Sequence, residues 1–367
     1  MKYTQNELLL LWLNGLEYFD YSHKKFLFDL LKNSSSISLE ITNHQSEIIS
    51  VIGEEKFNTL TKSATSENLK FQLNQLSKFG VVAVTIESAA YPERLKGLDE
   101  PPLCLYAKGD ITLLKEKNIL AIVGSRKILS ASIKACEELV KPITESGITV
   151  VTGIAEGGDI TAINTVLGIG GKVISVIAGG LDYIYPVVHT DKVEEIINKG
   201  GLVLTEQFIG VKPQPFTFPV RNRIIAGIAD KTLVVSAGEK SGTLYTAEYA
   251  FKLKREVFAI PYSVGVQSGV GCNALIKKGA KLVDKPSDIL NAFGLKEEKK
   301  TPVSLTAEEK AVVDAIKGGN THIEKIAQVT GKKAFMLFPI ISMLEIKGII
   351  VKNGVNVYGL TLNGLEE

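Results

Sequence analysis

The sequence predicts an α/β protein with a doubly wound, mainly parallel sheet, a small N-terminal helical domain and a C-terminal winged-helix domain. From about residue 80, short runs rich in Val and Ile alternate with amphipathic stretches of about a dozen residues. The preceding segment carries apolar residues at helical spacing, and near the end Asn353-Gly354 separates two β-prone runs. These changes of pattern predict domains at 1–75, 80–294 and 301–367.

Composition narrows the class of protein. The 367 residues carry 42 basic and 40 acidic side chains, so the net charge of +2 excludes binding to nucleic acid by bulk charge alone. Three widely spaced cysteines and four unclustered histidines predict neither a disulfide framework nor a metal site. The apolar run 8–13 is shorter than the ~18 residues of a membrane span, so we expect a cytoplasmic protein without a membrane partner.

The N-terminal segment 1–75 is expected to be a small, acidic, SAM-like helical domain. Leu9, Leu13 and Leu16 recur at helical spacing, and the net charge over residues 1–100 is negative.

Seven apolar runs then define the sheet, at 119–123, 148–152, 172–177, 202–205, 232–235, 257–260 and 281–283. Because these runs are uninterrupted rather than alternating with polar residues, we expect parallel strands buried on both faces.

The C-terminal segment reads as three helices and a hairpin. A charged linker at 296–302 precedes Thr306 and Glu309, which have the spacing of a capping box. The third helical stretch, around Phe335 and Phe338, has almost no Arg, Asn or Gln to read base edges. We therefore expect a packing or protein-contact module rather than a sequence reader.

Ligands of doubly wound sheets bind beyond the carboxyl ends of the strands, so the loops there matter most. Glycine, hydroxyl and cationic residues follow several predicted strands, and backbone N–H groups at the helix starts would suit phosphates. These residues are Gly124, Ser125, Arg126, Lys127, Gly153, Arg221, Asn222, Arg223, Ser241, Gly242, Thr243 and Asn273. We expect Asp159 to be an N-terminal helix cap rather than an acid or base.

Arginine usage singles out the same loops. Only five of the 42 basic residues are arginines, and Arg126, Arg221 and Arg223 fall in two loops predicted at one edge of the sheet. The planar guanidinium group of arginine can form two parallel hydrogen bonds to a phosphate, whereas lysine is sufficient where a charge only needs to face water. The pattern favours a site that binds anions over solvent-exposed arginines that bind nothing.

Several enzyme signatures are missing. No GxGxxG follows a strand, and the P-loop-like 168–172 segment is followed by Val173 where a Ser or Thr is required. No GxSxG elbow is present either. We therefore expect binding without catalysis, with no cofactor and no metal.

These loops resemble the DNA-processing protein A family (DprA, also called Smf). The matching stretches are Gly124-Ser125-Arg126, Thr152-Gly153-Ile154-Ala155 with Asp159, Gly180-Leu181-Asp182 with Tyr185-Pro186, 218–227, Ser241-Gly242-Thr243 with Thr246-Ala247, and 273–280. The resemblance implies an extended Rossmann-like domain that binds single-stranded DNA in natural transformation (competence) and DNA recombination. It also implies a homodimer, displacement of single-strand-binding protein and loading of the RecA recombinase.

Some positions depart from that family's pattern. His189 stands where asparagine is usual, and Lys192 is the one cation near Tyr185-Pro186, which makes it a further candidate DNA ligand. The alternative is a nucleoside-monophosphate phosphoribohydrolase of the lysine-decarboxylase-like family. That reaction requires the motif PGGxGTxxE, and in this sequence Glu248 lies two positions after the place of the motif's glutamate. A nucleotide-sensing module is a third reading.

Overall fold

This computed structural model describes residues 3–296 and 304–361. The chain forms two compact units, Met1–Leu295 and Lys296–Glu367, each with its own hydrophobic core. Apart from Lys296, the predicted linker lies outside the described residues.

Six short helices open the first unit. They are α1 (Gln5–Asn14), α2 (Tyr21–Leu31), α3 (Ile37–Asn43), α4 (Gln45–Ile52), α5 (Glu54–Ser63) and α6 (Ser66–Lys78). Side chains at the N-caps explain three starts, because Thr4, Asp20 and Thr65 each accept a hydrogen bond from a backbone N–H of the first turn. The core of these helices includes Cys104 and Tyr106 of the sheet. Helices and sheet therefore form one unit rather than two independent ones.

The sheet has nine strands in the order β1-β2-β6-β5-β4-β3-β7-β8-β9. The strands are β1 (Val82–Thr85), β2 (Cys104–Gly109), β3 (Ile119–Gly124), β4 (Thr149–Thr152), β5 (Val173–Val176), β6 (Leu202–Thr205), β7 (Lys231–Ser236), β8 (Glu256–Ala259) and β9 (Lys281–Leu282). Strands β3 to β9 pair in parallel, which confirms the predicted mainly parallel sheet. Strands β1 and β2 extend it by antiparallel pairing.

Helices cover both faces of the sheet. They are α7 (Ser130–Glu145), α8 (Gly158–Gly168), α9 (Thr190–Asn198), α10 (Thr217–Ile228), α11 (Thr243–Lys252), α12 (Val270–Lys277) and α13 (Pro286–Ala292). Helices α7, α8, α9 and α13 pack on one face, and α10, α11 and α12 on the other. In β3, Leu120 and Ile122 face the first layer while Ala121 and Val123 face the second, so this strand is apolar throughout.

The winding of the sheet reverses beside β3. The chain moves outward from β3 through β4 and β5 to β6, and α10 then carries it back to β7 on the other side of β3. The carboxyl ends of β3 and β7 therefore flank the switch point, where doubly wound sheets open a ligand crevice.

The second unit has α14 (Ala307–Lys317), α15 (Ile323–Thr330), α16 (Ala334–Ile346), β10 (Ile350–Gly354) and β11 (Val357–Leu360). The predicted capping box is confirmed, since the Thr306 and Glu309 side chains each accept from the other's backbone N–H. The hairpin turns two residues later than expected, at Val355-Asn356, where Asn356 has a φ of 56°. This element order matches a winged helix, an assignment that stays a prediction.

Candidate nucleic-acid interface

A cavity of about 80 Å³ opens at the carboxyl ends of β3, β4 and β5. Two guanidinium groups, one carboxylate, two aromatic rings and several apolar side chains line it. The lining residues are Arg126, Ile154, Ala155, Glu156, Ile177, Ala178, Tyr185, Pro186, Phe218 and Arg221. The site thus combines two positive charges and one negative charge with flat apolar walls.

Arg126 stands exposed at the rim of this cavity. Its guanidinium carbon lies 5.4 Å from the centroid of the Phe218 ring, a cation–π contact that limits the freedom of the arginine. The Tyr185 ring meets Phe218 edge-on, with centroids 5.7 Å apart. Lys127 is exposed beside Arg126, and the described part of the chain gives it no ionic partner.

Arg221 forms the inner cation of the cavity and is only 9% exposed. Its Nη1 donates to the Val176 carbonyl and its Nε donates to Asn222 Oδ1 at 3.1 Å. Burial lowers the pKa of Arg221, Asp159 opposes that shift, and the charge of Arg126 adds to it. Because a guanidinium remains protonated at neutral pH, the two arginines bring two positive charges to the cavity, and Glu156 of its lining and the buried Asp159 are the carboxylates that oppose them.

Asp159 sits behind Arg221 as a buried countercharge. Burial raises the pKa of Asp159. The charge of Arg221 and hydrogen bonds from backbone N–H groups, such as that of Ala155 at 3.3 Å, lower this pKa and so oppose the shift. The expectation that Asp159 caps α8 is wrong, because the helix begins at Gly158 and the capping position is Gly157. Asp159 instead lies in the first turn, where a carboxylate also interacts favourably with the helix dipole.

Gly153 makes room for this buried pair. A Cβ added there would lie 2.3 Å from Asp159 Oδ2 and 2.7 Å from Arg221 Nη1. Gly124 and Gly158 approach each other in the same way, with 2.8 Å between a Cβ on Gly124 and the Gly158 Cα. Gly124 and Gly153 of the predicted site therefore admit neighbouring groups to close approach, which any side chain would prevent.

Hydroxyl groups tie the loops after β3 and β7 together. Ser125 Oγ lies 3.3 Å from Ser241 Oγ, and Ser241 Oγ donates to Thr243 Oγ1 at 3.0 Å. The Asn222 amide donates to the Gly242 carbonyl at 3.1 Å, which joins α10 to the same loop. The structure thus brings Gly124, Ser125, Arg126, Gly153, Arg221, Asn222, Ser241, Gly242 and Thr243 to one edge of the sheet.

Arg223 does not join the cavity. Its Nη2 contacts both carboxylate oxygens of Glu206, at 2.7 and 2.6 Å, and the residue is buried. The charge of Arg223 is therefore neutralised within the fold, which corrects the expectation of a phosphate ligand.

Two further candidates have internal partners. Asn273 lies inside α12 rather than before it, and its amide bonds the backbone N–H and carbonyl of Tyr262, at 3.0 and 2.9 Å. Lys192 lies in α9 and forms an ion pair with Glu195. The Asn273 amide is used within the fold, whereas the ion pair of Lys192 lies at the surface; contact of either residue with DNA stays a prediction.

One partly buried polar network was not predicted from the sequence. Glu206, which holds Arg223, also accepts a hydrogen bond on its backbone oxygen from Asn14 of α1, and Asn14 donates to Tyr106. Lys24 donates to the Asn14 carbonyl, and burial lowers the pKa of Lys24. No spacing in the sequence could reveal this network, because its members are far apart along the chain.

The phosphoribohydrolase alternative has little support in the structure of this edge. Glu248, the carboxylate required by the phosphoribohydrolase alternative, is exposed on α11 and does not line the cavity. Within 3–296 and 304–361, no three His, Cys, Asp or Glu side chains lie close enough to hold a metal ion. The helices of these residues include none with the length and apolar character needed to cross a membrane.

The fold and this edge define a doubly wound α/β protein with two arginines in a cavity at the carboxyl ends of its parallel strands. Comparison with known families is consistent with that class. Residues 82–294 match the family described as DNA recombination-mediator protein A, and the chain belongs to that family.

Individual relatives agree. The chain is 38% identical over 210 residues to the DNA processing protein DprA of Bacillus subtilis, covering 57% of this chain and 70% of that protein. The X-ray structure of DprA from Streptococcus pneumoniae superimposes with a TM-score of 0.67 at 31% identity, over 79% of this chain and 98% of the other. DNA processing protein A from Helicobacter pylori, studied for its single-stranded DNA binding mode, gives 0.52 at 29% identity, over 57% and 95%.

Proposed function

We propose that this protein binds single-stranded DNA along the edge that holds the cavity. The observation that carries the proposal is the pairing of Arg126 and Arg221 in one cavity whose wall is the Phe218 ring. Phosphates would meet the two guanidinium groups and the exposed Lys127, while an unpaired base would stack near Phe218 and Tyr185. Membership of the family and the single-strand binding of the H. pylori relative support this reading.

A single strand suits this edge better than a duplex. The aromatic rings offer faces to bases, which are accessible only when the bases are unpaired. The cavity is too small for a double helix, and among its lining residues the only cations are the two arginines. We therefore expect a preference for flexible strands that can bend into the loops.

The cellular role that we propose is the handling of incoming DNA in natural transformation. The protein would protect the strand, displace single-strand-binding protein and load the RecA recombinase, acting as a homodimer and without catalysing a reaction. Family membership is the support for this part of the proposal. A strand-exchange assay with RecA and single-strand-binding protein tests it, since loading predicts faster filament formation on coated strands.

The binding proposal is tested by titrating fluorescent single-stranded and duplex oligonucleotides of graded length at two salt concentrations. If Arg126, Lys127 and Arg221 each neutralise a phosphate, log K should fall with log salt at a slope of about −2 per protomer. Arg126→Glu should lower single-strand affinity at low salt at least tenfold, because it places a carboxylate where a phosphate would bind.

Lys141→Glu is the matched control, because this exposed residue lies toward the far end of α7 and away from the cavity. Unchanged affinity in Arg126→Glu, or an equal loss in both variants, would contradict the proposed site. Incubation with AMP completes the test, since release of adenine would favour the phosphoribohydrolase instead.

A further inference from the structure

A second cation covers an aromatic ring at the same edge of the sheet, outside the main cavity. Tyr183 follows β5 and Lys212 follows β6, and Lys212 Nζ lies 5.5 Å from the centroid of the Tyr183 ring. Arg126 and Phe218 have the same arrangement at the main cavity. Tyr183 is two residues before Tyr185 of the cavity lining, so their Cα atoms are at most about 7 Å apart. The edge therefore repeats one combination of a cation and an aromatic ring.

The two loops that carry this second pair are joined by hydrogen bonds. Both carboxylate oxygens of Asp182 accept from the Gly210 N–H, at 2.9 and 3.0 Å. The Gly180 N–H donates to the Val211 carbonyl at 2.8 Å. The second pair is therefore attached to backbone that is already held in place before any ligand binds.

Both members of the pair can accept a ligand. Tyr183 is 38% exposed, and Lys212 is exposed with no ion-pair partner among the described residues. Of the carboxylates on these two loops, that of Glu206 is paired with Arg223, and that of Asp182 forms the contact between the loops. The Lys212 ammonium is therefore available to a phosphate.

A smaller cavity, of about 10 Å³, adjoins the main cavity on the side of the loop after β6. It shares Ile177, Ala178 and Arg221 with the main cavity, and Gln207 of that loop also lines it. The recess at Arg221 thus continues toward the loop that carries Lys212.

We propose that Tyr183 and Lys212 form a second nucleotide subsite, in which a base stacks on the Tyr183 ring and Lys212 binds the adjoining phosphate. The proposal rests on single-strand binding at the main cavity, and it gives the strand a direction, past Tyr185 toward the loop after β6. Stacking of a base on an aromatic ring is stronger than an exposed cation–π contact, so the base displaces the ammonium from the ring. The flexible stem of lysine then allows the ammonium to reach the phosphate.

The first test is titration of the full chain with a fluorescent single strand of about twelve nucleotides, which is long enough to occupy both subsites. Tyr183→Ala should lower the affinity about tenfold, because it removes the stacking surface, whereas Tyr183→Phe should retain wild-type affinity. Tyr249→Ala is the matched control, since Tyr249 has the same kind of contact with Lys252, at 5.7 Å, at the far end of α11. Thermal unfolding of each variant establishes that it is folded.

The second test concerns the charge of Lys212. Lys212→Ala should make the slope of log K against log salt less steep by about 0.7, because one phosphate contact of a single strand is lost. Lys252→Ala should leave the slope unchanged.

Fluorescence reports stacking directly. The one tryptophan of the sequence, Trp12, is buried, so Tyr183→Trp places an exposed indole at the subsite. Single strands should quench the emission of this indole, and a duplex of the same length should not, because its bases are already paired.

Unchanged affinity in Tyr183→Ala, together with the expected loss in Arg126→Glu, would overturn the second subsite and leave the main cavity intact. Unchanged affinity in both variants, or no single-strand binding by the wild type, would overturn both proposals. Binding by Tyr183→Trp without quenching would also overturn the second subsite, since the base would then not lie on this ring.

Discussion

Arg221 and Arg223 lie two residues apart in α10, and each has a carboxylate nearby, but only Arg221 lines the cavity. Arg221 faces a cavity with a second arginine at its rim, and its countercharge Asp159 is buried behind it. Arg223 is paired with Glu206, and its Nε and Nη1 have no hydrogen-bond partner among the described residues. The first arginine is therefore suited to an incoming anion, and the second to holding the fold together.

Glu206→Gln tests the structural role of Arg223. Removing the carboxylate leaves a buried guanidinium without its counterion, so the free energy of unfolding should fall by about 3 kcal/mol. Urea denaturation measures this loss. Oligonucleotide affinity of the folded protein should be unchanged, because Glu206 does not line the main cavity.

Glu195→Gln is the matched control for that experiment. Glu195 pairs with Lys192 and Lys199 at the surface, where ion pairs contribute little, and a loss below about 1 kcal/mol is expected. Equal losses in the two variants would argue against a special role for the buried pair.

Gly153→Ala tests the close packing beneath the cavity. The added methyl group would collide with Asp159 and Arg221, so we expect unfolding to be easier by about 1–3 kcal/mol. Because Arg221 must move, single-strand affinity should also fall about tenfold, measured by oligonucleotide titration. Gly168→Ala in α8 is the control, since its methyl group would meet no atom within 4 Å; a similar effect there would contradict the packing argument.

At the level of residues, the sequence predicted which loops lie at the same edge of the sheet, but not which of their side chains lack an internal partner and can bind a ligand. Arg126 and Arg221 are together because glycine-rich turns follow buried strands, a pattern visible in the sequence. Whether Arg223 can bind a ligand depends on its ion pair with Glu206, which lies 17 residues earlier in the chain, directly after β6. Such pairing is set by the order of strands in the sheet, which local patterns do not contain.

Among the elements, the start of α14 offers a clear pH test. Lys347 and the Thr306 N–H both bind the Glu309 carboxylate, so the pKa of Glu309 is lowered from its ordinary value of 4.5. The unfolded chain therefore binds more protons than the folded chain between these two pKa values. Stabilisation by Glu309 is present above about pH 4.5 and is lost as the pH falls through the lowered, folded-state pKa.

Thermal denaturation from neutral pH to about pH 3 measures this dependence. Glu309→Gln should be less stable than the wild type at neutral pH, and the two should converge in acid. A constant difference across the range would show that charge on Glu309 is not the cause.

Strands and helices were predictable in different degrees. Strands β3 to β8 are within two residues of the predicted runs, because burial on both faces requires uninterrupted apolar sequence. The antiparallel strands β1 and β2 were not predicted, since they lie outside the alternation of strands and helices. Helix starts were predicted less accurately than strands. For example, α12 begins three residues before Asn273, so this residue lies in the helix and not in the loop where it was predicted.

For the whole molecule, the two units have separate hydrophobic cores. A chain ending at residue 295 should therefore fold and bind a short single-stranded oligonucleotide with the affinity of the full protein, because the cavity is built within the first unit. Fluorescence titration tests this. A large loss of affinity would show that the second unit contributes directly to binding.

Helix α10 imposes a constraint on chain length as well as on residue type. It returns the chain across the sheet with the Arg221 guanidinium at the cavity and the Arg223 guanidinium paired with Glu206. Each residue turns an α-helix by about 100°, so deleting a single position ahead of Arg221 would swing both groups off their sites together. Insertions and deletions among related proteins should accordingly avoid 217–228, even where individual substitutions are tolerated.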